Sequence, residues 1–220
     1  MSASCVIAAN STITTYGSDD TIANSPISRV ADAAIVVVDT IARRLEELGD
    51  VAVGDRAGTP IGIGGGQSPG TIDLFDTVVT ENGGDGVAAS RAARVVAVRN
   101  TTLAGNGDAG FDAGGATAAW ALNASTVADN AAGVVATESA GDWTVIGATI
   151  RGNDAAGIRA VRANGSWTVA RSTVRSNPSG IVATGSAGDW TVTNSTVASF
   201  TTVGIGGRET SGNWTVRGAT

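Results

Sequence analysis

The phrase Gly141-Asp142-Trp143-Thr144-Val145 returns as Gly165-Ser166-Trp167-Thr168-Val169, as Gly188-Asp189-Trp190-Thr191-Val192 and as Gly212-Asn213-Trp214-Thr215-Val216. With Trp120 included, the five tryptophans of the chain are spaced by 23, 24, 23 and 24 residues. A fixed period of this length marks a solenoid, in which each repeat is too small to bury its own apolar face and must stack on its neighbours. Counting back by the same period, the Trp slot holds Val96 and then Ile72, so the array extends beyond its tryptophans.

Other slots repeat with it. Two residues after the Trp slot stand Leu74, Val98, Leu122, Val145, Val169, Val192 and Val216, and seven after it stand Val79, Leu103, Val127, Ile150, Val174 and Val197. A Gly followed by an apolar residue comes next, at Gly86-Val87, Gly110-Phe111, Gly133-Val134, Gly157-Ile158, Gly180-Ile181 and Gly204-Ile205, with Ala89, Ala113, Ala136, Ala160 and Ala183 two positions further on. Alternating runs this short, separated by Gly, Asn, Asp and Ser, read as three strands per repeat joined by turns. Such strands wind rather than fold back, each stacking about 4.8 Å above its counterpart to form three parallel sheets around a narrow apolar core. The tryptophans are expected to point inward, because Ile72 and Val96 share their slot. Asn82, Asn106, Asn130, Asn153 and Asn177 occupy one bend, where stacked amides can bond each other and the turn backbone. Phe200 replaces Asn in the following repeat.

The stretches Val127-Ala-Asp-Asn-Ala-Ala-Gly-Val134 and Ile150-Arg-Gly-Asn-Asp-Ala-Ala-Gly-Ile158 resemble the repeat of the right-handed parallel β-helix proteins, in the Asn-rich branch of the pectate-lyase-like superfamily. The resemblance covers residues from about 50 to 220 and implies an all-β solenoid of about six to seven coils of 23–24 residues. That superfamily holds polysaccharide lyases and hydrolases as well as tailspikes, adhesins and proteins without chemistry, so fold alone selects no activity. It also implies an extracellular or cell-surface location.

Residues 1–49 read differently. Val6, Ala8 and Ile13 suggest a degenerate strand pair, and from Ser25 the apolar residues Ile27, Val30, Ala31, Ala34, Val37, Val38, Ile41, Leu45 and Leu48 recur at three- and four-residue steps. With Ser25 as N-cap, Pro26 at the first helical position and Gly49 as stop, this predicts an amphipathic helix over about 26–48 that covers the N-terminal end of the β-helix. The competing reading takes Ile35-Val36-Val37-Val38 as a strand of a degenerate coil. The β-helix is expected over 50–220, with Gly62–Gly70 as a loop that lacks the Lys-Ser/Thr of a phosphate-binding turn. At the other end Trp214–Thr220 opens a coil and stops, which predicts an open sheet edge through which copies could associate.

The chain carries 14 basic residues, all arginine, against 15 Asp and 5 Glu, for a net charge of -6. Such an Asp-rich, Lys-free composition resembles that of proteins from salt-loving archaea, where surface charge keeps hydration under strong screening. A GC-rich genome would produce the same bias. No basic stripe exists to neutralise phosphates, which argues against nucleic acid as a partner. No run of 18 apolar residues suggests a membrane span, and Met1–Cys5 carries neither the basic nor the apolar region of a leader. The single Cys5 excludes an internal disulfide.

With no histidine in the sequence, Ser-His-Asp and Cys-His arrangements and imidazole metal sites are excluded. Enzymes that this chain resembles use carboxylates on an outer sheet face, some with calcium and an Arg or Lys base. The candidates here are Asp129 and Asp154 with Arg151 and Arg175 for catalysis, and Asp85, Asp108 and Asp112 for calcium, an ion that takes six to eight oxygens. Aspartate in turns is also ordinary. Two outward threonine ranks run alongside, Thr102, Thr126, Thr149, Thr173, Thr196 and Thr220, and Thr144, Thr168, Thr191 and Thr215. Ice-binding solenoids carry such ranks, although threonine is equally a good solvent-facing strand residue. Asn10, Asn100, Asn123, Asn164, Asn194 and Asn213 each open an N-x-S/T sequon, which matters only in an exported protein. The expected function is therefore a non-catalytic scaffold that contacts polysaccharide, with a carboxylate-based lyase or hydrolase acting on acidic polysaccharide as the alternative.

Overall fold

A computed structural model describes residues 35–36, 52–54, 61–64, 72–92 and 95–220 of the 220-residue chain. All regular structure among them is β-strand, arranged in three sheets whose neighbouring strands are one coil apart and parallel throughout. The tryptophan sheet holds seven strands, Ile72–Phe75, Val96–Arg99, Trp120–Asn123, Trp143–Ile146, Trp167–Ala170, Trp190–Thr193 and Trp214–Arg217. The threonine sheet also holds seven, from Ala52–Gly54 and Val78–Thr80 to Thr196–Ala198. The glycine sheet holds eight, from Ile35–Val36 and Ile61–Gly64 to Val203–Arg208.

Register follows the repeat without slippage. Trp120 stands opposite Val96 on one side and Trp143 on the other, and Trp143, Trp167, Trp190 and Trp214 continue the same line. The four inner slots from Leu74 to Val192, Val79 to Val174, Val87 to Ile181 and Ala89 to Ala183 are fully excluded from solvent, so period-2 alternation does set the inner face. Trp120, Trp143, Trp167 and Trp190 are at most 2% exposed, and their rings stack at 4.6, 4.7 and 4.8 Å with interplanar angles of 3–7°. Trp214 continues the stack at 5.1 Å but is 54% exposed. Each such aromatic pair adds roughly 0.5–1.5 kcal/mol beyond the area it buries.

The repeated Gly before each tryptophan has a steric cause. A Cβ on Gly165 would lie 2.5 Å from the carbonyl carbon of Gly141, and one on Gly188 would lie 2.5 Å from that of Gly165. The coils touch backbone to backbone at this corner. Each of the three corners also has one residue with positive φ per coil, in columns such as Asp76, Asn100, Ala124, Gly147, Arg171, Asn194 and Gly218.

The predicted bend of asparagines is a buried ladder. Asn82, Asn106, Asn130 and Asn153 each donate Nδ2–H to Oδ1 of the next asparagine at 2.7–3.0 Å, and that same Oδ1 accepts the backbone N–H of the donor residue. A second ladder of hydroxyls lies at the corner between the tryptophan and threonine sheets. There Ser125 accepts from the Thr101 N–H, Ser172 from the Ala148 N–H and Ser195 from the Ser172 N–H, at 3.1–3.2 Å. Coil length varies at only one of the landmarks compared: four residues separate Asn106 from Gly110 and Asn153 from Gly157, three separate Asn130 from Gly133 and Asn177 from Gly180. The ladders on both sides stay in step across this difference.

Two expectations change. Ile35–Val36 is a strand paired in parallel with Ile63 and Gly64, so the strand reading holds at these positions where the helix over 26–48 was expected. The β-branched pair suits a pleated surface, and the strand Ile61–Gly64 is the parallel neighbour it pairs with. The rest of that helix and the strand pair in residues 1–24 lie outside the described residues. Likewise Gly62–Gly64, expected in a loop, belong to the strand Ile61–Gly64 that pairs with Asp85–Ala88, while 65–70 lie outside the described residues.

Candidate functional site

Because each tryptophan ring points inward, the residues on either side of it point out, and they form two parallel columns over the same sheet. One column is Asp142, Ser166 and Asp189, all exposed; the other is Thr144, Thr168 and Thr191, half-buried. Together with Val95, Ala119 and Ala121 they line an open groove of about 500 Å³ whose floor is the strand starts at Trp120, Trp143 and Trp167. It runs across the strands, along the solenoid axis. Among the described residues no arginine lines it.

The two carboxylates are held by the turn below the sheet. Asp142 Oδ1 accepts the Ser166 N–H at 2.7 Å, and Asp189 Oδ1 accepts the Asn213 N–H at 2.7 Å and its Nδ2–H at 3.3 Å. Neither forms an ion pair with a described residue. Between them Ser166 occupies the equivalent position, so the acids stand two coils apart on one rim. Beneath the groove, Trp120 donates its indole N–H to Ser139 Oγ at 3.4 Å, whereas the buried indole N–H groups of Trp143, Trp167 and Trp190 have no acceptor among the described residues. The slot that holds Ser139 holds Ala163 one coil on and then Ser186, whose hydroxyl is committed to the Ala160 carbonyl at 2.7 Å.

The sequence candidates are distributed elsewhere. Asp129 and Arg151 do meet, in an exposed ion pair of 3.3 Å at the bend that follows the threonine sheet. Arg175 stands directly beside Arg151 in the next coil, exposed, and Asp154 is exposed in the same bend, three residues after Arg151. The carboxylate and the guanidinium that would have to act on substrate are thus bonded to each other, and the remaining arginine and aspartate belong to separate columns.

Asp85, Asp108 and Asp112 neighbour one another near the glycine sheet. Burial pushes the Asp85 carboxyl up to about 6; the Ala109 N–H, donating to its Oδ1 at 2.9 Å, pulls the other way, and the charges of Asp112 and Asp108 add to the rise. Asp112 is otherwise occupied, accepting from Ser90 Oγ and, at 2.9 Å, from the Gly114 N–H. Among the described residues no three acidic groups converge as metal ligands would. The groove carboxylates Asp142 and Asp189 were not among the sequence candidates; their signal was position, directly before an inward tryptophan and so outward on a sheet.

The threonine ranks are outward as expected, but they lie on different sheets, Thr102 to Thr196 on one and Thr144 to Thr215 on another. Among the described residues no helix is long and apolar enough to cross a membrane. A family model for the right-handed β-helix region matches residues 61–220. Neither the curated proteins nor the solved structures contain a significant match to the chain. The match spans well over half of the sequence and agrees with the parallel coils and their ladders: the chain belongs to the right-handed β-helix family.

Proposed function

We propose that the protein is a non-catalytic β-helix scaffold of the cell surface or exterior that contacts carbohydrate along the groove over its tryptophan sheet. The observation that carries this reading is the regularity of the array. Every inner slot is a continuous ladder; outside it Asp129 is paired with Arg151, and Asp142 and Asp189 are bonded to turn backbone, so none of these acids is gathered with others around a vacant point. A stack of parallel strands locked by amide and indole columns is stiff along its axis, which suits a spacer or a binding rail better than a site that must close on substrate. The groove supplies hydroxyls and carboxylates in two parallel columns, the donor and acceptor mix that sugar hydroxyls use.

Calorimetric titration of the full chain with neutral and charged oligosaccharides tests the binding. We expect saturable binding that a Thr168→Arg variant abolishes, with the fold of that variant checked by near-ultraviolet circular dichroism. Incubation with uronic-acid polymers and calcium, followed by absorbance of unsaturated ends, tests the rest. Product formed in proportion to protein would overturn the non-catalytic reading, and no binding of any sugar would overturn the carbohydrate one.

A further inference from the structure

We infer that the groove takes an extended polymer of amino sugars with free ammonium groups. This rests on the carbohydrate reading above and adds to it the sign of the ligand's charge and its direction. The groove crosses successive strands from Trp120 to Thr191, so an occupant lies along the solenoid axis and meets one coil after another. Its rim carries Asp142 and Asp189, and among the described residues neither has an ion-pair partner and no arginine lines the groove. A polyuronate would set its carboxylates against these two, and a neutral chain would gain nothing from them that an amide could not give. An ammonium group matches them in sign and as a hydrogen-bond donor.

Spacing agrees with charge. Asp142 and Asp189 stand on the same rim two coils apart, roughly 10 Å at the usual separation of paired strands. That is close to the length of one disaccharide in an extended linear polysaccharide, in which every second sugar presents its substituent to the same side. Each carboxylate uses Oδ1 on a turn N–H at 2.7 Å, which fixes its orientation and leaves Oδ2 for the ligand. Thr144, Thr168 and Thr191 supply one hydroxyl per coil along the other column. The groups are already in place before binding, so little side-chain entropy is lost when the polymer docks.

The test compares four probes on the full chain at low ionic strength: glucosamine oligomers, their N-acetylated counterparts, oligogalacturonate and oligolysine. Glucosamine oligomers are expected to bind best, to weaken as salt rises, and to lose roughly tenfold or more in affinity to the double variant Asp142→Asn/Asp189→Asn. Asparagine keeps the Oδ1 acceptor, and unchanged near-ultraviolet circular dichroism confirms the fold. Equal binding of the N-acetylated oligomers, with no loss in the double variant, overturns the inference and leaves the carbohydrate reading standing. Oligolysine binding as well as the amino sugar also overturns it, because the surface would then read charge alone. Binding of none of the sugars overturns both.

Discussion

Replacing Asn130 by alanine removes four hydrogen bonds at once: Nδ2–H to the Leu103 carbonyl at 3.1 Å and to Asn153 Oδ1 at 3.0 Å, and Oδ1 from the Asn106 N–H at 2.9 Å and Asn106 Nδ2–H at 2.8 Å. Asn130 is 1% exposed and its partner Asn106 is 2% exposed, so water does not replace what is lost. At a net value of about 1 kcal/mol for each bond, with the Asn106 N–H left buried and unpaired, the cost is about 3–5 kcal/mol. The neighbour shares the loss: once Asn106 is alanine, the Nδ2–H that Asn130 Oδ1 accepted is already gone. The double variant Asn106→Ala/Asn130→Ala is therefore expected to cost less than the sum of the singles, by about 1–2 kcal/mol. Urea unfolding of the four proteins, followed by tryptophan fluorescence and by far-ultraviolet circular dichroism, measures the cycle. A single-variant cost under about 1 kcal/mol, or strict additivity, would refute the account of the ladder as a coupled buried network.

Gly165→Ala forces a methyl against the Gly141 carbonyl carbon and is expected to destabilise by about 1–3 kcal/mol or more in thermal unfolding. Gly147→Ala, whose Cβ would meet nothing nearer than 3.9 Å, meets only the strain of a φ of 65° and is expected to cost about 1 kcal/mol. Trp167→Ala should cost about 3–5 kcal/mol in urea and break the near-ultraviolet signal of the indole stack, whereas Trp214→Ala, already 54% exposed, should cost far less. The Asp85 carboxyl has its folded-state pKa at about 6, above the ordinary 3.8, so the proton is bound more tightly in the folded state. Stability from this group is complete below about 4 and is lost as the pH rises through about 6. Asp85→Asn should therefore raise the unfolding midpoint at neutral pH relative to the parent and leave the advantage absent at pH 4.

The columns legible in the sequence share one property: a single residue type, or a single polarity, serves nearly every coil. Tryptophan, the inner valines and leucines, the Gly-apolar pair and the asparagines all recur because the coil below demands the same shape or the same bond. The positive-φ columns were hidden for the opposite reason. Asp76, Ala124, Arg171 and Gly218 can all take the same backbone corner, so no letter repeats. The hydroxyl ladder was hidden by Ala148, which contributes its backbone N–H in place of a side chain. At Ile35–Val36 helical spacing and strand propensity coincided, and the parallel partner Ile61–Gly64 decided between them. For the site, sequence neighbours in the repeat did meet, as Asp129 and Arg151 show, but their meeting is a closed pair rather than an open centre. The groove required knowing which way the tryptophans face, since Asp142 and Asp189 acquire meaning only as the outward neighbours of an inward ring.

One bend differs from the other two in what it permits. Between the asparagine column and the Gly-apolar strand the path takes either three or four residues, and the strands beyond it still pair with their counterparts. The rod therefore has a seam where extra chain can be let out without disturbing the registers that hold it together. A foreign peptide spliced between Asn130 and Gly133 would project from the side of an intact cylinder, and several such peptides in adjacent turns would be displayed in a row at the pitch of the solenoid.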